Sequence, residues 1–406
     1  MTTTQTEPAA STIESLQALT DAHVINTYGA RRLAFDRGDG CRLWDSEGNE
    51  YLDCFAGIAV TNLGHNYPAV TKAITEQAAK LLHCSNLYYI ESQSRVAELL
   101  CNHSFADKWF FANCGGTANE AAIKLSRRYW SKKGTPKPGI LVAEQSFHGR
   151  TLATITATGQ PKYQEGFEPL VEGFSHVPYN DVTALEQAIT PSTGAIMLEP
   201  IQGEGGVRVP ADEYLAQVRV LCDKHNLLLI LDEVQTGIGR TGKLFAYEHS
   251  GISPDIITLA KALGNGVPIG AMGCTDEVAT GFDIGSHATT FGGNPLCTAA
   301  ALATLTAITA PGFMDRVADA STRFMTGLEQ LAKKHSTIVD VRGKGLMIGI
   351  EFRDSVAQIL HGMTERKVIC GPAGPNVVRF VPPLIISDEE IDRAISTLDD
   401  VLSNLG

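Results

Sequence analysis

From about residue 68 to residue 274, short apolar segments alternate with helical patterns, and this alternation constrains the fold more than any other feature. "LLLIL" at 227–231 and "IITLA" at 256–260 are near-continuous apolar runs of strand length. A strand that is apolar on successive residues has to be covered on both faces. With the further strand candidates 108–112, 139–143, 195–198 and 269–274, and helical patterns between most of them, these runs predict a largely parallel, doubly wound α/β sheet. Before this region, residues 11–27 read as a helix, and "GCRLWDSEGNEYLDCFAGIAV" reads as a hairpin turning at Ser46–Asn49. The texture changes after "TAITAPGF". A helix is expected over 313–335, strands in "VDVRGKGLMIGIEF" and "NVVRFVPPLIIS", and a closing helix over 387–404. The expected organisation is therefore an N-terminal segment 1–67, a large domain 68–311 and a smaller α+β domain 312–406.

Composition narrows the function classes. With 44% hydrophobic and 19% charged residues over 406 positions, the chain can bury a substantial core. A net charge of −12 disfavours nucleic acid or an anionic membrane as partner, so any anionic ligand must be held by local positive groups. The nine cysteines are scattered, odd in number and without paired metal-ligand spacing, which predicts reduced thiols, a cytoplasmic location and no metal site. The first residues carry no arginine and no apolar run, so neither a secretory signal nor a mitochondrial transit peptide is expected. The longest stretch without a charged residue lies between Asp283 and Asp315. Gly, Asn, Pro and Thr interrupt it, and it reads as a loop plus a buried helix rather than a membrane span.

Three local features carry chemistry. "FFANCGGTANEAAIKLSRRYW" (110–130) reads as a strand, a turn holding Gly115 and Gly116, and a helix. Such a turn gathers free N–H groups and the positive end of the helix dipole, which suits an anion. It lacks the signatures of a nucleotide or dinucleotide loop, and by itself it reads as an ordinary turn. "LLLILDEVQTGIGR" places Asp232 directly after a buried strand, and "DIITLAKALGNGVPIGA" places Lys261 after another. In open α/β sheets, ligands bind beyond the carboxyl ends of the strands. Either residue alone reads as a strand cap. An acid, an amine and an anion cup together suit a cofactor with a ring nitrogen, an aldehyde and a phosphate, which is pyridoxal 5′-phosphate.

The motifs "AGIAVTNLGHNYP", "SNLYYIE", "FHGRT", "EPIQGEGGV", "LDEVQTGIGRTG", "AKALGNGVPIGA", "TTFGGNPL", "VRGKGLMIGIEF" and "VVRFVPPLIIS" follow one another along nearly the whole chain. In them the sequence resembles the class III, ornithine-type aminotransferases of fold type I. The resemblance implies a large domain with a mostly parallel seven-stranded sheet between helices, and a smaller α+β domain formed by both chain ends. It implies that Lys261 is the Schiff-base lysine and then the base that moves a proton. Asp232 would pair with the pyridinium nitrogen, Gln235 with the ring hydroxyl, and Phe147 would stack on the ring. His148 joins the cofactor contacts, and neither it nor His65 has the companions a metal needs. The phosphate cup would be Cys114, Gly115, Gly116 and Thr117. Here the chain departs from the family's Asn-Ser-Gly-(Ala/Thr)-Glu-Ala: Cys114 replaces Ser and Thr117 replaces Glu, with the Thr117 hydroxyl a further donor to the cup.

The same resemblance implies that Thr290 of a neighbouring subunit, rather than Thr289, completes the cup, and hence a homodimer with shared sites. Arg150 would grip a substrate carboxylate through its planar fork. Glu204 and Arg379 match a switch pair, in which Glu204 neutralises Arg379 for one substrate and releases it for the other. The implied reaction moves the δ-amino group of N2-acetyl-L-ornithine to 2-oxoglutarate in a ping-pong sequence. Succinylornithine, succinyldiaminopimelate, ornithine and 4-aminobutyrate are alternative donors, and a non-catalytic dimeric relative is the rival from another class. Gly264, Gly266 and Gly270 are expected in turns near Lys261, and Trp109 and Trp130 in core or interface.

Overall fold

The computed structural model describes residues 12–29 and 31–405. The sequence reading of the first residues as lacking a targeting signal lies outside them. The central feature is a seven-stranded sheet in the order Lys108–Ala112, Gly270–Cys274, Ile256–Leu259, Leu228–Asp232, Thr193–Leu198, Gly139–Ala143, Phe174–Val177. Pairs from Ile256–Leu259 to the far edge are parallel. Gly270–Cys274 alone runs against its neighbours. The reason lies in chain length. Only residues 260–269 separate it from the preceding strand, too few for the crossover that a parallel pair needs. That short return is the segment carrying Lys261.

Both faces of the sheet are apolar, and the residues sort by strand period into two cores. Ile196, Leu198, Leu229, Leu231 and Ile257 enter one. Ala195, Met197, Leu228, Ile230 and Ile256 enter the other, where the helix Gly115–Lys132 contributes Ala122, Ile123, Leu125 and Trp130. The strand Phe174–Val177 escaped the sequence reading because it is a short edge strand whose Ser175 and His176 are exposed.

Both chain ends meet in a second unit. The strand Glu50–Asp53 of the N-terminal hairpin pairs in parallel with Val368–Ile369. The strands Ile338–Lys344, Met347–Phe352, Val377–Phe380 and Gly371–Pro372 form a further four-stranded sheet. Leu52 and Cys54 share a core with Phe324, Ile348, Phe380 and Leu398. The strand in "VVRFVPPLIIS" stops at Phe380, because Pro382 and Pro383 have no N–H for a ladder. The N-terminal helix spans Ile13–His23, with Thr12 Oγ1 accepting from the Ser15 N–H at 3.3 Å as its cap. The uncharged stretch contains the largely buried helix Pro295–Ile308, and among the described residues no single helix is long and apolar enough to cross a membrane.

Candidate active site

The carboxyl edge of the parallel strands converges on a cavity of about 260 Å³. Five strand ends deliver its walls: Cys114 after Lys108–Ala112, Phe147 and His148 after Gly139–Ala143, Glu199 after Thr193–Leu198, Asp232 closing Leu228–Asp232, and Lys261 after Ile256–Leu259. Gly115, Gly116 and Gln235 line it as well. Of the residues expected at the site, Thr117, Arg150, Glu204, Thr290 and Arg379 lie off this wall.

The floor is a closed polar network. Asp232 Oδ2 accepts from Asn119 Nδ2 at 2.7 Å and lies 2.8 Å from His148 Nδ1, while Oδ1 accepts from the Val234 N–H at 3.0 Å. Asn119 is fixed in turn, donating to the His148 carbonyl at 2.6 Å and accepting from Thr258 at 2.6 Å. Burial disfavours charge on His148, but the hydrogen bond and charge of Asp232 prevail, so its pKa is raised. A carboxylate accepts about four hydrogen bonds, which leaves Asp232 one acceptor position. Beside it Glu199 Oε2 accepts from the Phe147 N–H at 3.0 Å and Oε1 from the Gly203 N–H at 3.2 Å. Burial raises the Glu199 carboxyl to about 7.

Lys261 opens a 3-10 turn with φ +45°, an uncommon conformation for a side chain with a Cβ. Enclosure by the pocket lowers its ammonium to about 8, against the opposing pull of Glu204. Facing it, Gly115 and Gly116 begin a helix whose first N–H groups have no intrahelical acceptor. Gly270 belongs to a strand, which corrects the turn expected there. A Cβ at this position would lie 2.3 Å from the Cys114 carbonyl oxygen, so the missing side chain lets the cup pack against the sheet. Thr117 is also corrected. Its hydroxyl is taken up by the turn itself, accepting from the Asn113 and Cys114 N–H groups at 3.0 Å each and donating to the Cys114 carbonyl.

Above the floor, Arg379 projects from Val377–Phe380 of the small sheet and is 1% exposed. Its Nη1 lies 2.6 Å from Glu204 Oε1 and 3.1 Å from Gln235 Oε1. Burial would raise the Glu204 carboxyl, but Arg379 outweighs it and the pKa is lowered. Arg150 is exposed, with its guanidinium 4.0 Å from the Tyr163 ring centre. Thr290 is exposed on its own chain, whereas Thr289 Oγ1 donates to Asn113 Oδ1 at 3.4 Å. Asn119, Glu199 and Tyr163 were missed from sequence. The strand-end rule that found Asp232 would have found Glu199, but nothing local marks Asn119 or Tyr163.

A buried carboxylate with one acceptor position left, an amine of depressed basicity and an anion cup suit a phosphorylated pyridine aldehyde, and the fold and site define an enzyme of the pyridoxal-phosphate type. The family model described as aminotransferase class-III matches residues 25–402, and the chain belongs to that family, whose members depend on pyridoxal 5′-phosphate. An acetylornithine aminotransferase of Caldanaerobacter subterraneus subsp. tengcongensis is 51% identical over 385 residues, 94% of this chain and 98% of its own. Among solved structures, the ornithine aminotransferase of Toxoplasma gondii ME49 superposes with a TM-score of 0.94 at 33% identity, covering 97% of this chain and 96% of that one. The N-acetylornithine aminotransferase of Stenotrophomonas maltophilia K279a gives a TM-score of 0.83 at 37% identity, covering 96% and 98%.

Proposed function

We propose that this enzyme transfers the δ-amino group of N2-acetyl-L-ornithine to 2-oxoglutarate, giving N-acetyl-L-glutamate 5-semialdehyde and L-glutamate, in the cytoplasm and as a step of arginine biosynthesis. The observation that carries the reading is the 2.6 Å pair of Arg379 and Glu204 at the edge of a pyridoxal-phosphate type of site. Reactants of different charge pattern must use one pocket in turn, and a breakable pair beside the cofactor lets them. The names of the similar proteins favour the acetylated donor.

When bound, pyridoxal phosphate supplies an electron sink that acidifies the C–H beside the transferred nitrogen. The protein supplies the rest. Lys261, lowered to about 8, has a neutral fraction at physiological pH and can take and return a proton. Asp232, held by His148, Asn119 and Val234, would keep the ring nitrogen protonated. The helix start at Gly115 and Gly116 would hold the phosphate, and Phe147 would cover a ring face. Gln235 would bond the ring hydroxyl. Glu204 would mask Arg379 while the amine donor is bound and release it for a carboxylate of the acceptor, with Arg150 taking the other carboxylate.

Thr290 of the partner subunit completes the cup in this reading, which makes the functional unit a homodimer. Leu81, Leu82, Leu87, Tyr88, Tyr89 and Phe291 are all exposed large apolar side chains, and Asn86 between them donates to the carbonyls of Thr289 and Gly292 beside Thr290, in support of it. The test is a set of half-reactions followed at the visible band of the enzyme-bound cofactor. Acetylornithine should change the band faster than succinylornithine, ornithine or 4-aminobutyrate. A faster change with any of those would replace the donor, and no change with any amine would remove the catalytic reading.

A further inference from the structure

Arg150 is the one substrate-gripping residue that the structure leaves without a carboxylate partner among the described residues. Its surroundings are aromatic. The guanidinium carbon lies 4.0 Å from the ring centre of Tyr163 and 5.5 Å from that of Phe147. The two rings meet edge to face at 5.8 Å and 83°. Lys162 Nζ lies 4.8 Å from the Tyr163 ring, so two cations share it.

Tyr163 is held firmly. It closes the 3-10 turn Pro161–Tyr163; the glutamine before the turn ties it to the residues preceding Phe147, and the glutamine after it ties it to the end of the helix Leu152–Ala157 that follows Arg150. The Gln160 side-chain amide donates to the carbonyls of Gln145 and Ser146 at 3.3 and 3.1 Å. The Gln164 amide donates to the carbonyls of Ile155, Thr156 and Thr158 at 3.3, 3.2 and 2.9 Å. The four N–H groups of the two amides, shared among five carbonyls, therefore anchor the turn that carries the Tyr163 ring beneath a side chain that is otherwise exposed.

We infer that Tyr163 is a positioning residue for carboxylate recognition: it holds the guanidinium of Arg150 by its face and leaves the N–H edge free to fork a substrate carboxylate. The inference rests on the reading that Arg150 takes a carboxylate. A cation stacked by its face keeps its in-plane donors available. A side chain already ordered also loses less freedom on binding. The ring face does the work and the hydroxyl does not, so phenylalanine should serve.

The test is steady-state kinetics of the holoenzyme for Tyr163→Leu, Tyr163→Phe and Arg150→Ala, with inhibition by glutarate, a dicarboxylate that cannot react, and thermal melting alongside. Tyr163→Leu should raise both the KM for 2-oxoglutarate and the glutarate inhibition constant about 3- to 30-fold, while kcat stays within about twofold. Tyr163→Phe should stay within about twofold of the unaltered enzyme on all three. If Arg150→Ala weakens glutarate and Tyr163→Leu does not, the platform is overturned and the Arg150 reading stands. If Tyr163→Leu lowers kcat and melting temperature with KM unchanged, the residue is only structural and the inference fails. If Arg150→Ala leaves KM and glutarate inhibition unchanged, both fall.

Discussion

The floor and the rim of the pocket are built on opposite principles. At the floor, Asp232, His148, Asn119 and Thr258 are all buried and interlocked by hydrogen bonds of 2.6 to 2.8 Å. At the rim, Arg379 is shared between Glu204 and Gln235, and the exposed Arg150 rests on an aromatic ring. A buried charge is stable only in full pairing, so a floor of this kind has one arrangement. Arg379 is buried too, but its partner Glu204 is about a quarter exposed, so Glu204 can turn toward solvent once a substrate carboxylate takes its place on Arg379. In the proposed reaction the floor repeats the same chemistry in both halves, whereas the rim must tell two substrates apart.

The strongest way to break the contrast is at Lys261, the floor residue with no substitute. Lys261→Ala should lower transamination by at least about 10³-fold, measured as kcat, because the proton-moving group is gone. Its basicity gives a second reading of the same site. Covalent uptake of pyridoxal phosphate by the apoenzyme needs the neutral amine. The uptake rate should therefore rise with pH to half its maximum near 8, rather than near the ordinary lysine value of 10.5.

Next in size is Glu199→Gln. The amide nitrogen cannot accept, so either Phe147 or Gly203 keeps an unpaired buried N–H, at a cost of about 1–3 kcal/mol in a urea titration. The carboxyl of Glu199 is raised from 4.5 to about 7 in the folded state. Its stabilising contribution is therefore full below about 4.5 and is lost as pH rises toward 7, and the substitution should flatten that slope.

At the rim, Glu204→Ala should shift the ratio of kcat/KM for glutamate over that for the acetylated donor about tenfold toward glutamate, with the cofactor band unaltered. An equal loss for both substrates would mean that Glu204 belongs to the fixed floor. The smallest effect is expected at the altered cup. Cys114→Ser should change pyridoxal-phosphate affinity, measured by equilibrium dialysis, by no more than about fivefold, because backbone N–H groups carry the anion.

Much of the floor was legible in the sequence because its residues follow immediately on apolar strand runs, and the carboxyl ends of parallel strands share one edge. That rule marks the positions of Asp232 and Lys261, and their combination with the anion cup, not either residue alone, gives them a role. The rule ignores side chains within helices, which is why Asn119, on the helix after the cup, went unseen although it bonds Asp232 directly. Thr117 was misread for a related reason. Its position in the turn was visible, but the bonding of its hydroxyl to the turn's own N–H groups is a matter of geometry. The rim was the least legible by local rules: Glu204 and Arg379 are 175 residues apart, and motif resemblance alone paired them.

The sequence by itself determined the sheet apart from its edge strand Phe174–Val177, its two apolar faces and the edge on which the chemistry stands, because strand period and burial are written in consecutive residues. It also determined that both chain ends contribute a smaller unit, through the resemblance of whole motifs to one family. Only the tertiary structure decided which way the strand after Lys261 runs, that Gly270 is a point of contact with the cup rather than a turn, and that Tyr163 lies beneath Arg150. These depend on distances between segments far apart in the chain or on the length of a return, and such contacts leave no periodic trace in the residues that make them.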